Sequence, residues 1–65
     1  GAVMATARVQ RGGRALVVEK TGPRDGERTI ETRTLQDDGA LRCEFTHHPP
    51  GGAKAVTVVR FYTRA

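Results

Sequence analysis

Apolar and polar residues alternate along much of this chain. Between residues 40 and 46, three apolar side chains fall on one face of an extended segment and three polar ones on the other: Leu41, Cys43 and Phe45 against Arg42, Glu44 and Thr46. A period of two is typical of a half-buried β-strand, because successive side chains of a strand point to opposite sides. Other segments are rich in the β-branched and aromatic residues that strands favour. We predict five strands, at residues 3–10, 14–21, 27–35, 40–47 and 54–63.

Turn-forming residues separate the predicted strands. They are Gly12-Gly13, Gly22-Pro23 with Asp25-Gly26, Asp37-Asp38-Gly39, and the stretch 47–52 with its Pro-Pro-Gly-Gly run. Gly and Asp tolerate the positive φ of tight hairpins, and Pro cannot donate to a strand ladder. The expected fold is therefore an all-β, antiparallel up-and-down meander without a helix or an internal repeat. Residues 1–65 are interpreted as a single unit.

Length and composition limit what such a sheet can do alone. The chain has 65 residues, of which 37% are hydrophobic, and a domain this small buries only about 60% of its unfolded surface. A five-stranded meander also has an apolar face and two unpaired edges that something must cover. The one cysteine, Cys43, has no partner in the chain, which excludes an internal disulfide and favours a reducing, cytoplasmic compartment. No apolar run approaches the roughly 20 residues of a membrane span.

The chain is basic. Eleven Lys and Arg residues against seven Asp and Glu residues give a net charge of +4, and the pI is near 10.2. This balance favours an anionic partner, which is either a phosphate backbone or a carboxylate ligand.

The predicted last strand combines apolar and polar side chains on one face. Val56, Val58, Arg60 and Tyr62 share that face, so an apolar strip ends in a guanidinium and a phenol. Arg33, near the end of the third predicted strand, could face the same side. Two guanidinium groups and a hydroxyl in an enclosed apolar space form a carboxylate clamp, because charge-assisted hydrogen bonds strengthen as water is excluded.

These residues carry a resemblance to a known family. The stretch Thr32–Thr46 and the later Arg60-Phe61-Tyr62 resemble the C-terminal half of the intracellular lipid-binding proteins, which include the fatty-acid-binding and cellular retinoic-acid-binding proteins. Members of that family show an Arg-x-Leu before an Asp-Gly hairpin, an alternating apolar strand, and a closing strand that ends Arg-x-Tyr. Gly12-Gly13, followed by residues 14–18, is similar to an earlier hairpin of the family.

The resemblance implies a function and a set of site residues. It implies non-enzymatic binding and transport of a hydrophobic carboxylate, a fatty acid or a retinoid, in a β-barrel pocket. By this resemblance Arg33, Arg60 and Tyr62 bind the ligand carboxylate. The pocket wall is then expected to consist of Leu16, Val18, Leu41, Cys43, Phe45 and Val58.

The family pattern also differs from this chain in length. Family members are about twice as long and form a ten-stranded barrel with a helix-turn-helix lid. We therefore expect this chain to supply half of such a barrel, completed by a second copy, by a complementary fragment or by the other half of a longer protein. Met4 is the only methionine, so residues 1–3 are either an addition or part of a longer protein.

Two other hypotheses stay open. The chain could be a small basic β-module that binds nucleic acid or another acidic partner, because such modules combine a cationic groove with stacking aromatics. Phe45, Phe61 and Tyr62 are the only aromatics available for that role. Alternatively, the sheet could be a structural half-barrel that assembles with itself and binds neither ligand.

Metal binding and catalysis are not expected. His47 and His48 are adjacent, so their side chains point to opposite sides of a strand, and no third ligand follows at a useful spacing. Cys43 on an apolar face is expected to be a small inert hydrophobe rather than a nucleophile. Glu31 and Glu44 are expected to form cross-strand charge pairs. No cofactor is predicted.

Overall fold

The fold is a single antiparallel β-sheet, seen in a computed structural model that describes residues 3–63. Its five strands follow one another in the sheet in chain order, so each pairs with its neighbour in the sequence. The strands are β1 (Met4–Gln10), β2 (Ala15–Thr21), β3 (Arg28–Leu35), β4 (Leu41–His48) and β5 (Val56–Tyr62). The sheet is not closed into a barrel, and β1 and β5 form its two edges.

The predicted all-β meander is confirmed, and the strand boundaries need small corrections. Each of the first four strands agrees with its predicted range to within one residue at either end. The last strand begins at Val56 rather than at Lys54 and ends at Tyr62. Two single 3-10 turns, Arg11–Gly13 and Pro50–Gly52, lie in the loops that follow β1 and β4.

The β3–β4 hairpin shows why the chain reverses where the sequence predicts. Gly39 has a φ of +86°, a conformation that residues with a Cβ rarely adopt. The Gln36 N–H donates to the Ala40 carbonyl at 2.8 Å, and the Ala40 N–H donates to Asp38 Oδ1 at 2.9 Å. Asp38 therefore satisfies a backbone donor while Gly39 makes the turn, which is the division of roles expected of an Asp-Gly pair.

The strand registers give the sheet two chemically different faces. We call one the apolar face and the other the polar face. Members of the apolar face are Ala5, Ala7, Val9, Leu16, Val18, Lys20, Thr29, Glu31, Arg33, Leu35, Leu41, Cys43, Phe45, His47, Val56, Val58, Arg60 and Tyr62. The polar face carries Thr, Arg and Glu side chains at most positions, and its apolar members include Ala15, Val17, Ile30, Val59 and Phe61.

The sheet leaves much of its apolar surface open. Its few buried hydrophobic residues are Ala15, Val17, Ala40 and Cys43. The radius of gyration is 13.5 Å, whereas a compact chain of this length has about 10.7 Å. The accessible surface is 4934 Å², against roughly 4,000 Å² for a compact monomer of this mass. None of the helical segments in residues 3–63 is long and apolar enough to cross a membrane.

Candidate functional site

The apolar face brings together all nine residues that the sequence analysis selects. Strand pairing places Leu16, Arg33, Cys43 and Arg60 in one row across the sheet. Val18, Phe45 and Val58 lie in the next row, and Leu41 is opposite Tyr62 in the row on the other side. A slip of one residue in any strand would send its side chains to the other face. The observed registers therefore give the three candidate ligand-binding groups a common surface.

Four of these residues line a shallow groove along β4 and β5. The groove has a volume of about 450 Å³ and is lined by Phe45, Val58, Arg60 and Tyr62. We call it the Arg60 groove. Two apolar side chains form one part of its lining, and a guanidinium with a phenol forms the other. The groove therefore combines an apolar surface with two hydrogen-bond donors.

Arg60 carries the free positive charge of this groove. Within residues 3–63, the structure shows no carboxylate that forms an ion pair with Arg60. Its strand partner across the sheet is Cys43, the most buried residue of the apolar face with 3% of its surface exposed. Tyr62 follows two residues later on the same face and is 52% exposed. Both polar groups are thus accessible to a ligand that lies along the groove.

Arg33 is already paired with an acidic residue. Its Nε donates a hydrogen bond to Glu31 Oε2, two residues earlier on the same strand. This hydrogen bond and the Glu31 charge raise the pKa of Arg33 above its ordinary value, so Arg33 stays a cation with a counter-ion. Arg33 and Arg60 also lie two strands apart, a backbone separation of about 9.6 Å. The two arginines therefore share a row two strands apart, and Arg33 is the one that is engaged with an acidic residue.

Glu31 is a residue of the candidate site that the sequence analysis does not select. It lies between Val18 and Phe45 in the row of predicted pocket-wall residues, so a carboxylate interrupts the apolar strip. Its side chain is only 20% exposed. The expectation that Glu31 and Glu44 make cross-strand pairs is wrong, because each pairs along its own strand, Glu44 with Arg42 at 3.3 Å. The sequence signal for these pairs is the Glu-x-Arg and Arg-x-Glu spacing, because residues two apart on a strand lie on the same face.

The two adjacent histidines point to opposite faces, as predicted. Thr29 Oγ1 lies 3.3 Å from His47 Nδ1, and Glu27 Oε2 lies 3.7 Å from His47 Nε2. On the polar face, His48 Nε2 lies 3.4 Å from an Arg28 guanidinium nitrogen. A search of residues 3–63 finds no group of three or more His, Cys, Asp or Glu side chains that could hold a metal ion.

A larger groove lies at one end of the sheet and contains none of the predicted site residues. It has a volume of about 890 Å³ and runs between the β2–β3 loop and the β4–β5 loop. Its lining consists of Met4, residues 21–28, His48, Pro49, Gly52 and Ala53. The two acidic and two arginine side chains in this lining balance one another, and Glu27 is engaged with Arg24 and His47. Its charge therefore favours neither an anion nor a cation.

Comparison of the chain with models of protein families, with curated proteins and with solved structures found no match. The function of the Arg60 groove is therefore argued from its own residues.

Proposed function

We propose that the apolar face binds a hydrophobic carboxylate, such as a fatty acid or a retinoid, and carries it without chemical change. The observation that supports this proposal is the Arg60 groove, where Arg60 and Tyr62 adjoin Phe45 and Val58. An anionic head group needs charge-assisted hydrogen bonds, and an apolar tail needs surface that is removed from water. The groove offers both on neighbouring strands.

In the proposed complex, the head group lies at Arg60 and Tyr62. The guanidinium donates to the carboxylate oxygens, and the phenol donates one further hydrogen bond. Arg33 adds positive charge from the same row, although Glu31 offsets much of it. The tail runs over the apolar residues Leu16, Val18, Leu41, Cys43, Phe45 and Val58, which all lie on this face.

A single sheet leaves the ligand exposed on one side. A charge-assisted hydrogen bond is strong only where water is excluded, and an open groove excludes little of it. The proposal therefore includes a cover, supplied by a second copy of the chain or by a complementary fragment that completes the barrel. The excess accessible surface of the isolated sheet is consistent with such a cover.

Removal of the head-group donors tests the proposal. In a titration with oleate, we expect Arg60→Ala combined with Tyr62→Phe to weaken binding by about tenfold or more, since hydrogen bonds to charged groups contribute at this level. Arg8→Ala is the matched control, because Arg8 is a cation on the other edge strand and on the polar face. Its affinity for oleate should stay within about twofold, as for an exposed charge far from the ligand. Full oleate affinity in the double variant would overturn the proposal.

One observation favours a second candidate function on the polar face. Phe61 is 59% exposed and lies directly opposite Arg42 across β4 and β5. An exposed aromatic beside an arginine suits the stacking of nucleic acid bases. Binding of this kind falls steeply and log-linearly with salt concentration, whereas oleate held by an apolar tail does not. Titration of an oligonucleotide and of oleate at two ionic strengths separates the two functions.

A further inference from the structure

Strand β5 lies at an edge of the sheet but has the composition of an inner strand. Five of its seven residues are large, apolar and exposed. They lie on both faces and are Val56, Val58, Val59, Phe61 and Tyr62. Edge strands are normally protected by Pro, by several charges or by bulges, but β5 has Arg60 as its single charge and no Pro. The other edge strand, β1, has two large apolar residues, Met4 and Val9, and both are exposed.

We propose that β5 pairs with the β5 of a second copy of this chain, antiparallel about a two-fold axis at Val59, and that Arg60 from both copies forms one head-group site. The pairing of the strands is independent of any ligand. The shared head-group site rests on the proposed function.

The residues of β5 select the register of this pairing. With the axis at Val59, all seven residues of the strand pair, and Val58 lies opposite the partner's Arg60. On the same face Val56 lies opposite the partner's Tyr62, and such aromatic pairs with β-branched residues stabilise a sheet. An axis at Arg60 would place two like charges directly opposite each other, which is destabilising. An axis at Val58 would leave Phe61 and Tyr62 unpaired.

The self-complementary register of β5 favours a second copy of the same chain as the partner, and the accessible area of the sheet is large enough for such an interface. The sheet exposes 4934 Å², about 900 Å² more than a compact monomer of its mass. Stable interfaces remove about 800 Å² from each partner, so the excess is close to one partner's share. A two-fold axis also gives both copies the same buried strand, as in most homodimers. The two apolar faces then lie on the same side of one continuous ten-stranded sheet, and curling of this sheet over the ligand would supply the cover that the proposed function includes.

The pairing of β5 with the partner's β5, which we call the seam, would place a second Arg60 beside the first, whereas Arg33 of the same chain is ion-paired with Glu31. In the register at Val59, Arg60 and the partner's Arg60 are diagonal neighbours on the apolar face, about 7–8 Å apart at the backbone. Arg33 is farther from Arg60 and is occupied by Glu31. Arg60 has no acidic partner within residues 3–63, so the two Arg60 guanidinium groups repel each other until an anion lies between them. A bound carboxylate therefore stabilises the dimer as well as filling the site.

Two cysteine variants test the seam. In oxidised Val59→Cys, the new thiols of two copies face each other across the axis, within the roughly 4.4–6.8 Å backbone range of a disulfide. Thr57→Cys is the matched control, because it lies on the same face of the same strand but about 13 Å along the strand from its own copy. The native Cys43 is only 3% exposed and stays reduced in both. We expect a disulfide-linked dimer for Val59→Cys and none for Thr57→Cys. Equal linkage of the two variants, or no linkage of Val59→Cys, would overturn the seam.

Oleate binding to the linked Val59→Cys dimer tests the shared head-group site. We expect Arg60→Ala in this dimer to weaken oleate binding by about tenfold or more, because hydrogen bonds to a charged group are lost. We expect Arg33→Ala to weaken oleate binding by less than about twofold, because Arg33 is an exposed, ion-paired charge. Equal losses in both would overturn the paired-Arg60 site. A disulfide-linked dimer that does not bind oleate would support the seam and overturn the proposed function. Oleate binding without disulfide linkage would support the proposed function and overturn the seam.

Discussion

Glu31 and Arg33 form an ion pair on the apolar face. Removal of the Glu31 charge distinguishes ligand binding at this face from a general attraction of anions to a basic chain. Replacement of Glu31 by Gln removes a negative charge from the row of Val18, Phe45 and Val58. The Gln side chain can still accept the hydrogen bond from Arg33, so the fold is expected to stay intact. The change frees the Arg33 charge for the ligand and removes the repulsion between Glu31 and the ligand carboxylate.

The size of the effect follows from the exposure of the pair. The Arg33 side chain is 52% exposed and the Glu31 side chain is 20% exposed, so water screens the pair in part. Such pairs change an equilibrium constant by less than about fivefold. We therefore expect Glu31→Gln to raise the affinity for oleate by about two- to fivefold at low ionic strength. The gain should shrink near 1 M salt, where the screening length falls to about 3 Å.

Calorimetric titration of oleate into the two proteins measures this change, and Glu44→Gln provides the control. Glu44 has the same relation to Arg42, two residues away on one strand at 3.3 Å, but it lies on the polar face. We expect Glu44→Gln to leave oleate affinity unchanged. An unchanged or lower affinity for Glu31→Gln, or an equal gain for both variants, would refute the placement of the ligand on the apolar face.

Three further predictions concern stability and are measured by urea unfolding. Gly39→Ala should lower the free energy of unfolding by about 1–2 kcal/mol, because the φ of +86° disfavours a Cβ although the space around it is empty. Arg14→Ala should change stability by less than about 0.5 kcal/mol, since its ion pair with Asp37 is exposed, and a larger loss would contradict this assignment. Cys43→Ser should cost about 1–3 kcal/mol by burying a hydroxyl without an assured partner, and an unchanged unfolding midpoint would contradict it.

Much of the fold can be predicted from local chemistry in the sequence. Strict alternation in residues 41–46 fixes the two faces of β4, because a strand has a side-chain period of two. Asp38 and Gly39 fix the hairpin that follows β3, because their turn chemistry acts over a few residues. The predicted start of β5 at Lys54 lies two residues before the observed start at Val56, since Lys54 and Ala55 carry no signal that distinguishes the end of a loop from a strand.

The candidate site was predictable in part. The shared face of Arg33, Arg60 and Tyr62 follows from strand parity together with the register of β3, β4 and β5. The pairing of Arg33 with Glu31 was not predicted, because the choice between a partner along the strand and one across it depends on side-chain rotamers. The proposed cover of the apolar face is equally beyond local patterns, since it would depend on contacts that lie outside one sheet.

Native mass spectrometry of the chain with oleate tests the central claim most directly, because it reports the number of subunits and the bound ligand together. The account predicts a particle of twice the 7.0 kDa chain mass that retains oleate and releases it when Arg60 and Tyr62 are replaced by Ala and Phe. A 7.0 kDa particle without oleate, at ligand concentrations that saturate other carboxylate carriers, would contradict it.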